Sequence, residues 1–169
     1  MKESSVKITF AGNPLTLQGN EIKVGDKAPD FVAVGAGLTS VKLSDFAGRT
    51  VIIASYPSID TGVCAAQNRR FNAEANNLKD VVVLSISCDL PFAQSRFCAA
   101  EGLDNIKTVS DHKDLEFGQK YGFWIKELRL LARGTVVIDK SGVVKFVEYV
   151  SEVTHEPNYE AALAVVKNL

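Results

Sequence analysis

Three cysteines, at positions 64, 88 and 98, are the side chains of this sequence best suited to covalent chemistry. A thiolate is a strong nucleophile, and its sulfur can be oxidised reversibly to a sulfenic acid and then to a disulfide. Three cysteines in 169 residues are too few for the disulfide framework of a small secreted domain. Each is therefore either an inert core residue or a reactive group.

Cys64 occupies a position that favours ionisation of its thiol. The segment from Tyr56 to Cys64 leads from an apolar, β-branched stretch through a turn into the start of a predicted helix. Free backbone N–H groups at a helix start attract an anion, and reactive groups collect at such turns. A helix terminus supplies at most about 2 kcal/mol, less than the roughly 3.4 kcal/mol that a strongly ionised thiol requires at neutral pH. A fixed cation is therefore expected beside Cys64.

Arg133 is the candidate for that cation. It precedes the segment Gly134 to Asp139, which we expect to form a strand beside the one leading to Cys64. A guanidinium stays charged and can also hold a polar oxygen. Thr61, three residues before Cys64, can accept a helix N–H or hydrogen-bond the sulfur, and Pro57 is expected to shape the turn and cover the sulfur.

Each of these residues also has an ordinary structural interpretation. A single cysteine near a helix start is more often a small buried hydrophobe than a nucleophile. Arg133 fits a surface charge, and Thr61 fits a simple helix cap. Only the joint pattern of Pro57, Thr61 and Cys64, spaced as P-x-x-x-T-x-x-C, favours a reactive site.

The elements that must position these residues follow an α/β order. Two apolar, β-branched runs, Val51 to Ala54 and Val81 to Ile86, are typical of central parallel strands buried on both faces. Between them, from about Val63 to Leu78, Gly and Pro are absent and apolar side chains recur at helical spacing. Pro91 in a first turn and Gly102 at the far end predict a second helix.

The two ends of the chain complete the pattern. Alternating residues from Val6 to Leu17, broken by Gly12-Asn13-Pro14, predict an N-terminal hairpin ahead of the main domain. Gly134 to Asp139 and Val143 to Val150 predict an antiparallel pair at the sheet edge, and Tyr159 to Val166 predicts a terminal helix. The order predicts a thioredoxin-like α/β fold, with a mixed central sheet flanked by helices and an N-terminal β-hairpin.

Length and charge narrow the class of protein. With 46% hydrophobic residues, the chain can bury one substantial core, so we expect a single domain over residues 1–169, with 1–20 as the hairpin extension. The 19 basic residues are balanced by 20 acidic ones, which argues against nucleic acid as a partner. No apolar run is long enough to span a membrane, and Met1 to Ser5 lacks a secretory apolar core, so we expect a cytoplasmic location.

Other cysteine chemistries fit the sequence poorly. There is no C-x-x-C pair, which disfavours both a thioredoxin-type reductase and a zinc site. His112 and His155 belong to no recognisable nucleophile motif, so a cysteine–histidine hydrolase is a weak interpretation. We expect no cofactor and no metal.

Three segments, read together, resemble one enzyme family. Pro57 to Cys64, Leu90 to Cys98 and Glu156 to Leu163 are similar to segments of the bacterial thiol peroxidases, which are atypical two-cysteine peroxiredoxins. The likeness covers nearly the whole chain, including the N-terminal hairpin. One departure is Gly134, where the family often has Ala, and we expect little consequence from it.

The resemblance implies a thiol-specific peroxidase acting on hydrogen peroxide and organic hydroperoxides. It implies that Cys64 is the peroxidatic cysteine, that Thr61 and Arg133 activate it, and that Pro57 supports the substrate site. It also implies that Cys98 is the resolving cysteine of the same subunit, and that the enzyme is a homodimer reduced by thioredoxin.

Two further expectations concern the formation of a Cys64–Cys98 disulfide and the role of Cys88. A disulfide requires Cα atoms within about 7 Å, and Cys64 and Cys98 lie on different predicted helices. We therefore expect the turns around Cys64 and the helix around Cys98 to unwind locally when the disulfide forms. Cys88 ends a buried strand, and we interpret it as structural.

Two functions of other classes stay open. One is a non-catalytic peroxide sensor, in which the disulfide alters a binding surface. The other is a thioredoxin-like binding module that has lost its chemistry. Four aromatic residues are interpreted either as a pocket for organic hydroperoxides or as core and dimer surface, namely Phe92, Phe97, Phe123 and Trp124.

Overall fold

The computed structural model describes residues 1–169 as two β-sheets and four α-helices. The strands, numbered in chain order, are β1 (Glu3–Phe10), β2 (Asn13–Gln18), β3 (Val32–Val34), β4 (Ser40–Lys42), β5 (Thr50–Ser55), β6 (Val81–Ser87), β7 (Lys107–Ser110), β8 (Trp124–Ile125), β9 (Leu130–Leu131), β10 (Gly134–Ile138) and β11 (Val144–Tyr149). The helices are α1 (Gly62–Ala75), α2 (Pro91–Glu101), α3 (Glu116–Tyr121) and α4 (Tyr159–Lys167).

The larger sheet has seven strands in the order β11-β10-β5-β6-β7-β3-β4. Strands β5, β6 and β7 are mutually parallel, whereas β10 lies antiparallel to both β5 and β11. The predicted mixed central sheet is confirmed, as is the antiparallel pair β10–β11 at one edge. The edge pair β3–β4 was not predicted, since strands of three residues carry too little periodicity to detect.

Strand β5 is buried on both faces because helices cover both sides of the sheet. Its side chains alternate between two hydrophobic clusters: Val51 and Ile53 belong to the larger one, and Ile52 and Ala54 to the smaller one. The smaller cluster contains residues of α1 and α4, and the larger contains residues of α3. This arrangement confirms the predicted thioredoxin-like fold with helices flanking the sheet.

The helix boundaries follow the signals in the sequence. Pro91 is the first residue of α2, and Gly102 ends the helix in the left-handed conformation with φ of 65°. Helix α1 begins at Gly62, one residue before the predicted start, and ends at Ala75, three residues before the predicted end. No helix is both long and apolar enough to cross a lipid bilayer.

The predicted N-terminal hairpin is present, but it is part of a second sheet. Strands β1 and β2 pair antiparallel, and β2 pairs with β8, which pairs with β9. Ile8 and Leu17 are buried in the main core. The hairpin therefore packs against the segment that leads into Arg133, a contact that no local pattern predicted.

Candidate functional site

Cys64 lies in the first turn of α1, where Thr61 caps the helix. The Cys64 N–H donates a hydrogen bond to the Thr61 hydroxyl over 3.3 Å, and that hydroxyl donates to the Ser58 carbonyl over 3.3 Å. Of the two interactions expected for Thr61, the structure shows the helix cap. Cys64 exposes 0% of its surface and forms a small apolar cluster with Tyr56 and Ile59.

Arg133 brings its guanidinium directly to the sulfur. Its Nη2 lies 3.1 Å from Cys64 Sγ, within hydrogen-bond distance for a sulfur acceptor. The placement follows from the sheet, because Gly134 pairs with Ser55 across β10 and β5 and β5 leads to the Cys64 turn. Arg133 exposes only 2% of its surface.

Neutral oxygen atoms hold the rest of the guanidinium. Nη1 of Arg133 donates to Oε1 of Gln67 over 2.7 Å, and Nε donates to the Val153 carbonyl over 2.8 Å. Gln67, buried in α1, in turn donates from Nε2 to the Ser55 carbonyl over 3.2 Å. Two neutral oxygens therefore fix the planar group, and its third donor, Nη2, is directed at Cys64 Sγ.

No carboxylate lies within 4.0 Å of the Arg133 guanidinium, and the ion pairs of the protein all involve other residues. A buried cation without a counter-ion costs several kcal/mol of desolvation. Besides the Gln67 and Val153 oxygens, the group in hydrogen-bond contact with this buried guanidinium is the Cys64 sulfur.

The N-terminal hairpin holds the loop that supplies the Val153 carbonyl. Val153 donates its N–H to the Thr9 carbonyl over 2.9 Å, and Thr9 donates its N–H to Ser151 over 2.8 Å. Between them, the Glu152 carboxylate accepts hydrogen bonds from the Thr9 hydroxyl and from the N–H groups of the hairpin turn. The hydroxyl and N–H of Thr154 lower the pKa of Glu152 most, and the hairpin bonds lower it further. The hairpin thus supports one of the three bonds of Arg133.

A buried polar group backs the first turn of α1. Asn68 donates from Nδ2 to the Cys64 carbonyl over 2.9 Å, and its Oδ1 accepts a hydrogen bond from the Ser85 hydroxyl. The Ser85 hydroxyl also lies 3.0 Å from the Tyr56 hydroxyl. Burial raises the pKa of Tyr56, so its phenol stays neutral. These contacts fix the backbone of Cys64 from the sheet side.

The turn before α1 is held by a carboxylate from the next strand. Pro57 is buried, and the two residues after it bond to Asp89: the Ser58 hydroxyl over 2.8 Å and the Ile59 N–H over 2.7 Å. Asp89 follows β6, which runs parallel to β5, so both strands end at the same edge of the sheet. The predicted covering turn at Pro57 is therefore built on β6 as well as β5.

Cys98 lies in α2 as a free, half-buried thiol, and Cys64 is likewise free. Burial raises the pKa of Cys98 above its usual value, and a hydrogen bond with Thr108 opposes that rise. Phe97, the preceding residue, packs against both the Cys64 cluster and the hydrophobic cluster that contacts Cys98. Both cysteines are thus thiols in this structure, and the Phe97 side chain contacts the apolar surroundings of each.

Cys88 has a different environment. Burial, reinforced by the negative charges of Asp111 and Asp89, raises the pKa of Cys88 to about 12. The thiol is therefore neutral at physiological pH and a poor nucleophile. It packs against the main core, in agreement with its interpretation as a structural residue.

The structure brings Pro57, Thr61, Cys64 and Arg133 together and adds residues that the sequence did not indicate. The position of Gln67, one helical turn after Cys64, was a weak indication that it belongs to the site. Nothing in the sequence indicated that the Val153 carbonyl does. Of the four aromatic residues considered for a pocket, Phe123 and Trp124 are buried in the main core, Phe92 is 65% exposed, and Phe97 contacts the Cys64 cluster.

Gly134 is more important than expected. A Cβ atom at this position would lie 2.5 Å from Cε1 of Phe123 and would also collide with the Glu148 carbonyl. The absence of a side chain lets β10 approach β11 and the Phe123 ring directly after Arg133. The expectation that glycine instead of alanine has little consequence here is therefore wrong for this chain.

Known proteins match this chain over nearly its whole length. The sequence profile of the Redoxin family matches residues 23–163. The chain belongs to the Redoxin family. Thiol peroxidases from Bacillus subtilis (strain 168) and Halalkalibacterium halodurans are 55% identical over 163 residues and 57% identical over 160 residues. These alignments cover 96% and 95% of this chain, and 98% and 96% of the two relatives.

Solved structures agree with this assignment. The crystal structure of a peroxiredoxin-like protein from Aquifex aeolicus superposes with a TM-score of 0.92 at 37% identity, covering 99% of each chain. This Redoxin-family protein is therefore a peroxiredoxin-type peroxidase, an oxidoreductase, as the resemblance of its three segments implied.

Proposed function

We propose that Cys64 is the peroxidatic cysteine of a thiol peroxidase that reduces hydrogen peroxide and organic hydroperoxides. The observation that carries this proposal is the 3.1 Å contact between Arg133 Nη2 and Cys64 Sγ, made by a buried guanidinium that has no carboxylate partner. A thiolate is the form of the sulfur that both neutralises this cation and attacks peroxides.

The first step is a two-electron oxidation of the sulfur. The Cys64 thiolate attacks one oxygen of the hydroperoxide, an S–O bond forms, the O–O bond breaks, and the leaving oxygen takes a proton to depart as water or an alcohol. Arg133 stabilises the charge that develops on the leaving oxygen, with Thr61 oriented by the helix start. Pro57 keeps the turn packed over the sulfur. The product is a Cys64 sulfenic acid.

The second step joins the two cysteines. The Cys98 sulfur attacks the sulfenic sulfur, the S–S bond forms, and the oxygen leaves as water. Because Cys64 and Cys98 lie in separate helices, the first turn of α1 and part of α2 unwind for this step. A thioredoxin dithiol then reduces the disulfide and is itself oxidised. No cofactor or metal takes part in this scheme.

Of the remaining parts of the proposal, the homodimer rests on the family resemblance, and the single domain and the location rest on length, composition and the lack of long apolar runs. The enzyme is a homodimer of single-domain subunits, residues 1–169, located in the cytoplasm. Light scattering after size-exclusion chromatography of the reduced protein tests the dimer. A mass of one 18.3 kDa chain would contradict it.

The function is tested by following NADPH loss in the presence of thioredoxin, thioredoxin reductase and cumene hydroperoxide. The wild type is expected to turn over, and Cys64→Ser to be inactive. Cys98→Ser is expected to form one equivalent of sulfenic acid without being recycled by thioredoxin. Cys88→Ser serves as the matched control, because it removes a thiol from outside the site.

The same assay separates the alternatives. A wild type that forms its disulfide once but is not turned over by thioredoxin would favour the peroxide sensor. A wild type whose Cys64 does not react with peroxide would favour a binding module that has lost its chemistry.

A further inference from the structure

Asp89 joins the turn that carries the peroxidatic cysteine to the helix that carries the resolving one. We propose that its carboxylate is a latch, which holds the Cys64 turn in its peroxide-reactive form and must release before the Cys64–Cys98 disulfide can form. Asp89 acts through other residues and touches neither sulfur, so its role is positional. The proposal rests on the proposed function, because it assigns a residue to the transition between the two steps.

The first half of the latch is the pair of bonds to the turn. Oδ1 of Asp89 accepts a hydrogen bond from the Ser58 hydroxyl over 2.8 Å, and Oδ2 accepts one from the Ile59 N–H over 2.7 Å. Both residues lie between Pro57 and the helix cap at Thr61. Ile59 also packs directly in the Cys64 cluster. These short, charge-assisted bonds therefore fix the covering turn of the sulfur.

The second half connects the same carboxylate to α2. Oδ2 of Asp89 accepts the Ser87 hydroxyl over 2.6 Å, and that hydroxyl accepts a hydrogen bond from Nε2 of Gln94 over 3.0 Å. Gln94 is buried in α2, one turn before Cys98. The backbone of Asp89 is fixed as well, since its carbonyl accepts the Ser110 hydroxyl over 2.5 Å. The Asp89 side chain thus connects the end of β6 to the Cys64 turn and, through Ser87, to α2.

The balance of charge makes this latch easy to release. No basic side chain forms an ion pair with Asp89, and the nearby Arg96 instead makes a 3.9 Å contact with the exposed Asp60. Only neutral donors hold the carboxylate, and water can replace such donors when the turn opens. An ion pair buried at this point would resist opening more strongly.

The two steps of the reaction make opposite demands on this contact. Reaction with peroxide needs Cys64 held against Arg133, with Thr61 in place. Disulfide formation, in which the S–O bond breaks, the S–S bond forms and water leaves, needs the turn and α2 to separate from their packed positions. A weaker latch should therefore slow the first step and speed the second.

The test compares Asp89→Asn with Asp80→Asn, which removes an exposed carboxylate of the same charge from outside both the Cys64 turn and α2. Rapid-mixing measurements give the rate of sulfenic acid formation in the Cys98→Ser background and the rate of disulfide formation in chains with all three cysteines. For Asp89→Asn we expect disulfide formation to accelerate by roughly tenfold and sulfenic acid formation to slow by a few-fold, the scale set by one charge-assisted hydrogen bond. Asp80→Asn should change neither rate.

Two additional measurements distinguish a latch from a general loss of stability. Ser58→Ala removes the bond to Oδ1, together with the 3.2 Å bond that the Asp60 N–H donates to the Ser58 hydroxyl, and leaves the Ile59 bond to Oδ2; it should shift both rates in the same directions by a smaller factor. Hydrogen exchange of the Ile59 amide should accelerate in Asp89→Asn, while exchange in β5 stays unchanged. Loss of stability alone would lower both rates together, and that result would overturn the latch.

The outcomes separate this inference from the proposed function. If the wild type forms no Cys64–Cys98 disulfide, the proposed function fails and the latch with it. If the wild type forms the disulfide and Asp89→Asn forms it at the same rate, the latch alone is overturned.

Discussion

Arg133 contacts Cys64 across a fully buried interface, with Nη2 lying 3.1 Å from Sγ, and every other partner of that guanidinium is a neutral oxygen. A buried cation without a carboxylate partner is costly, so the packing of Arg133 depends on these contacts. The geometry of Arg133 consequently connects the packing of this protein to the sulfur proposed as its nucleophile.

The Gln67→Leu variant tests the support of Arg133. The substitution keeps the volume of the side chain and removes the acceptor of Nη1, so a buried donor loses its partner at a cost of about 1–3 kcal/mol. We expect the second-order rate constant for sulfenic acid formation to fall by roughly tenfold to a hundredfold. Stopped-flow kinetics measures it, with the exposed Gln119→Leu as the control. An unchanged rate would show that Arg133 does not need this acceptor.

Gly134→Ala should be destabilising in this chain. The added Cβ meets the Phe123 ring and the Glu148 carbonyl, so β10 or the ring must shift beside Arg133. We expect a loss of about 1–3 kcal/mol in the free energy of unfolding, together with a slower reaction with peroxide. Urea denaturation measures the first. Gly142→Ala, at an open turn, reports the ordinary cost of replacing a glycine with positive φ.

Disulfide formation should accelerate with pH. Burial raises the pKa of Cys98, so at neutral pH its sulfur is mainly a thiol, and the attacking thiolate increases as pH rises. Below that pKa we expect the rate to increase by about tenfold per pH unit. Acid quenching and mass spectrometry of the sulfenic and disulfide forms give the rate. A rate that stays constant between about pH 6 and about pH 8 would show that unwinding of the helices, and not formation of the Cys98 thiolate, limits the step.

Cys88→Ser should retain turnover within about twofold, because the pKa of Cys88 is raised to about 12 and its thiol is neutral during catalysis. Alkylation with iodoacetamide at pH 8 provides an independent measure. We expect Cys88 to be modified far more slowly than a free thiol in solution. Rapid modification, or a large loss of turnover, would assign Cys88 a role in thiol exchange.

Asp111 should make the folded state less stable as pH rises through the weakly acidic range. Burial outweighs the hydrogen bonds from the Phe117 and Gly118 N–H groups and raises the pKa of Asp111 to about 6. The folded state then binds more protons than the unfolded state between pH about 4 and 6, so stability falls over that interval and levels off above it. The titration of Asp111 lowers the free energy of unfolding by at most about 3 kcal/mol.

The comparison of wild type with Asp111→Asn isolates this effect. Chemical denaturation at about pH 4 and about pH 7.5, at the start of that interval and above it, should show the wild type losing about 1–3 kcal/mol of stability relative to the variant as pH rises. Carboxylates with lowered pKa, such as Glu152, act in the opposite direction in both proteins and cancel in the difference. A constant difference would contradict the prediction.

The sequence predicted the elements whose signals are local. The buried strands β5 and β6, the start of α2 at Pro91 and its end at Gly102 are confirmed because hydrophobic runs and capping residues act over a few positions. Strands β8 and β9 have two residues each and exist only because β2 lies beside them. Such pairing depends on contacts distant in sequence, and no local pattern indicates it.

The candidate site shows the same division. The spacing of Pro57, Thr61 and Cys64 indicates a capped helix start, and Arg133 is predictable because it precedes a strand expected beside the one that leads to Cys64. The carbonyl of Val153 has no side-chain signature, and Asp89 is separated from the turn it holds by about 30 residues. These contacts become visible only when the strands that carry them are paired.

The Val153 carbonyl holds Arg133, and Thr9 holds Val153. These two contacts determine how late in synthesis the site of a new chain can form. Thr9 and Ser151 are separated by 142 positions, so this part of the site closes only after nearly the whole chain has left the ribosome. Until then Cys64 has neither its cation nor the loop that fixes it. In the proposed mechanism, the nascent thiol therefore reacts more slowly with peroxide, and is less easily oxidised before folding is complete, than the same residue in the finished protein.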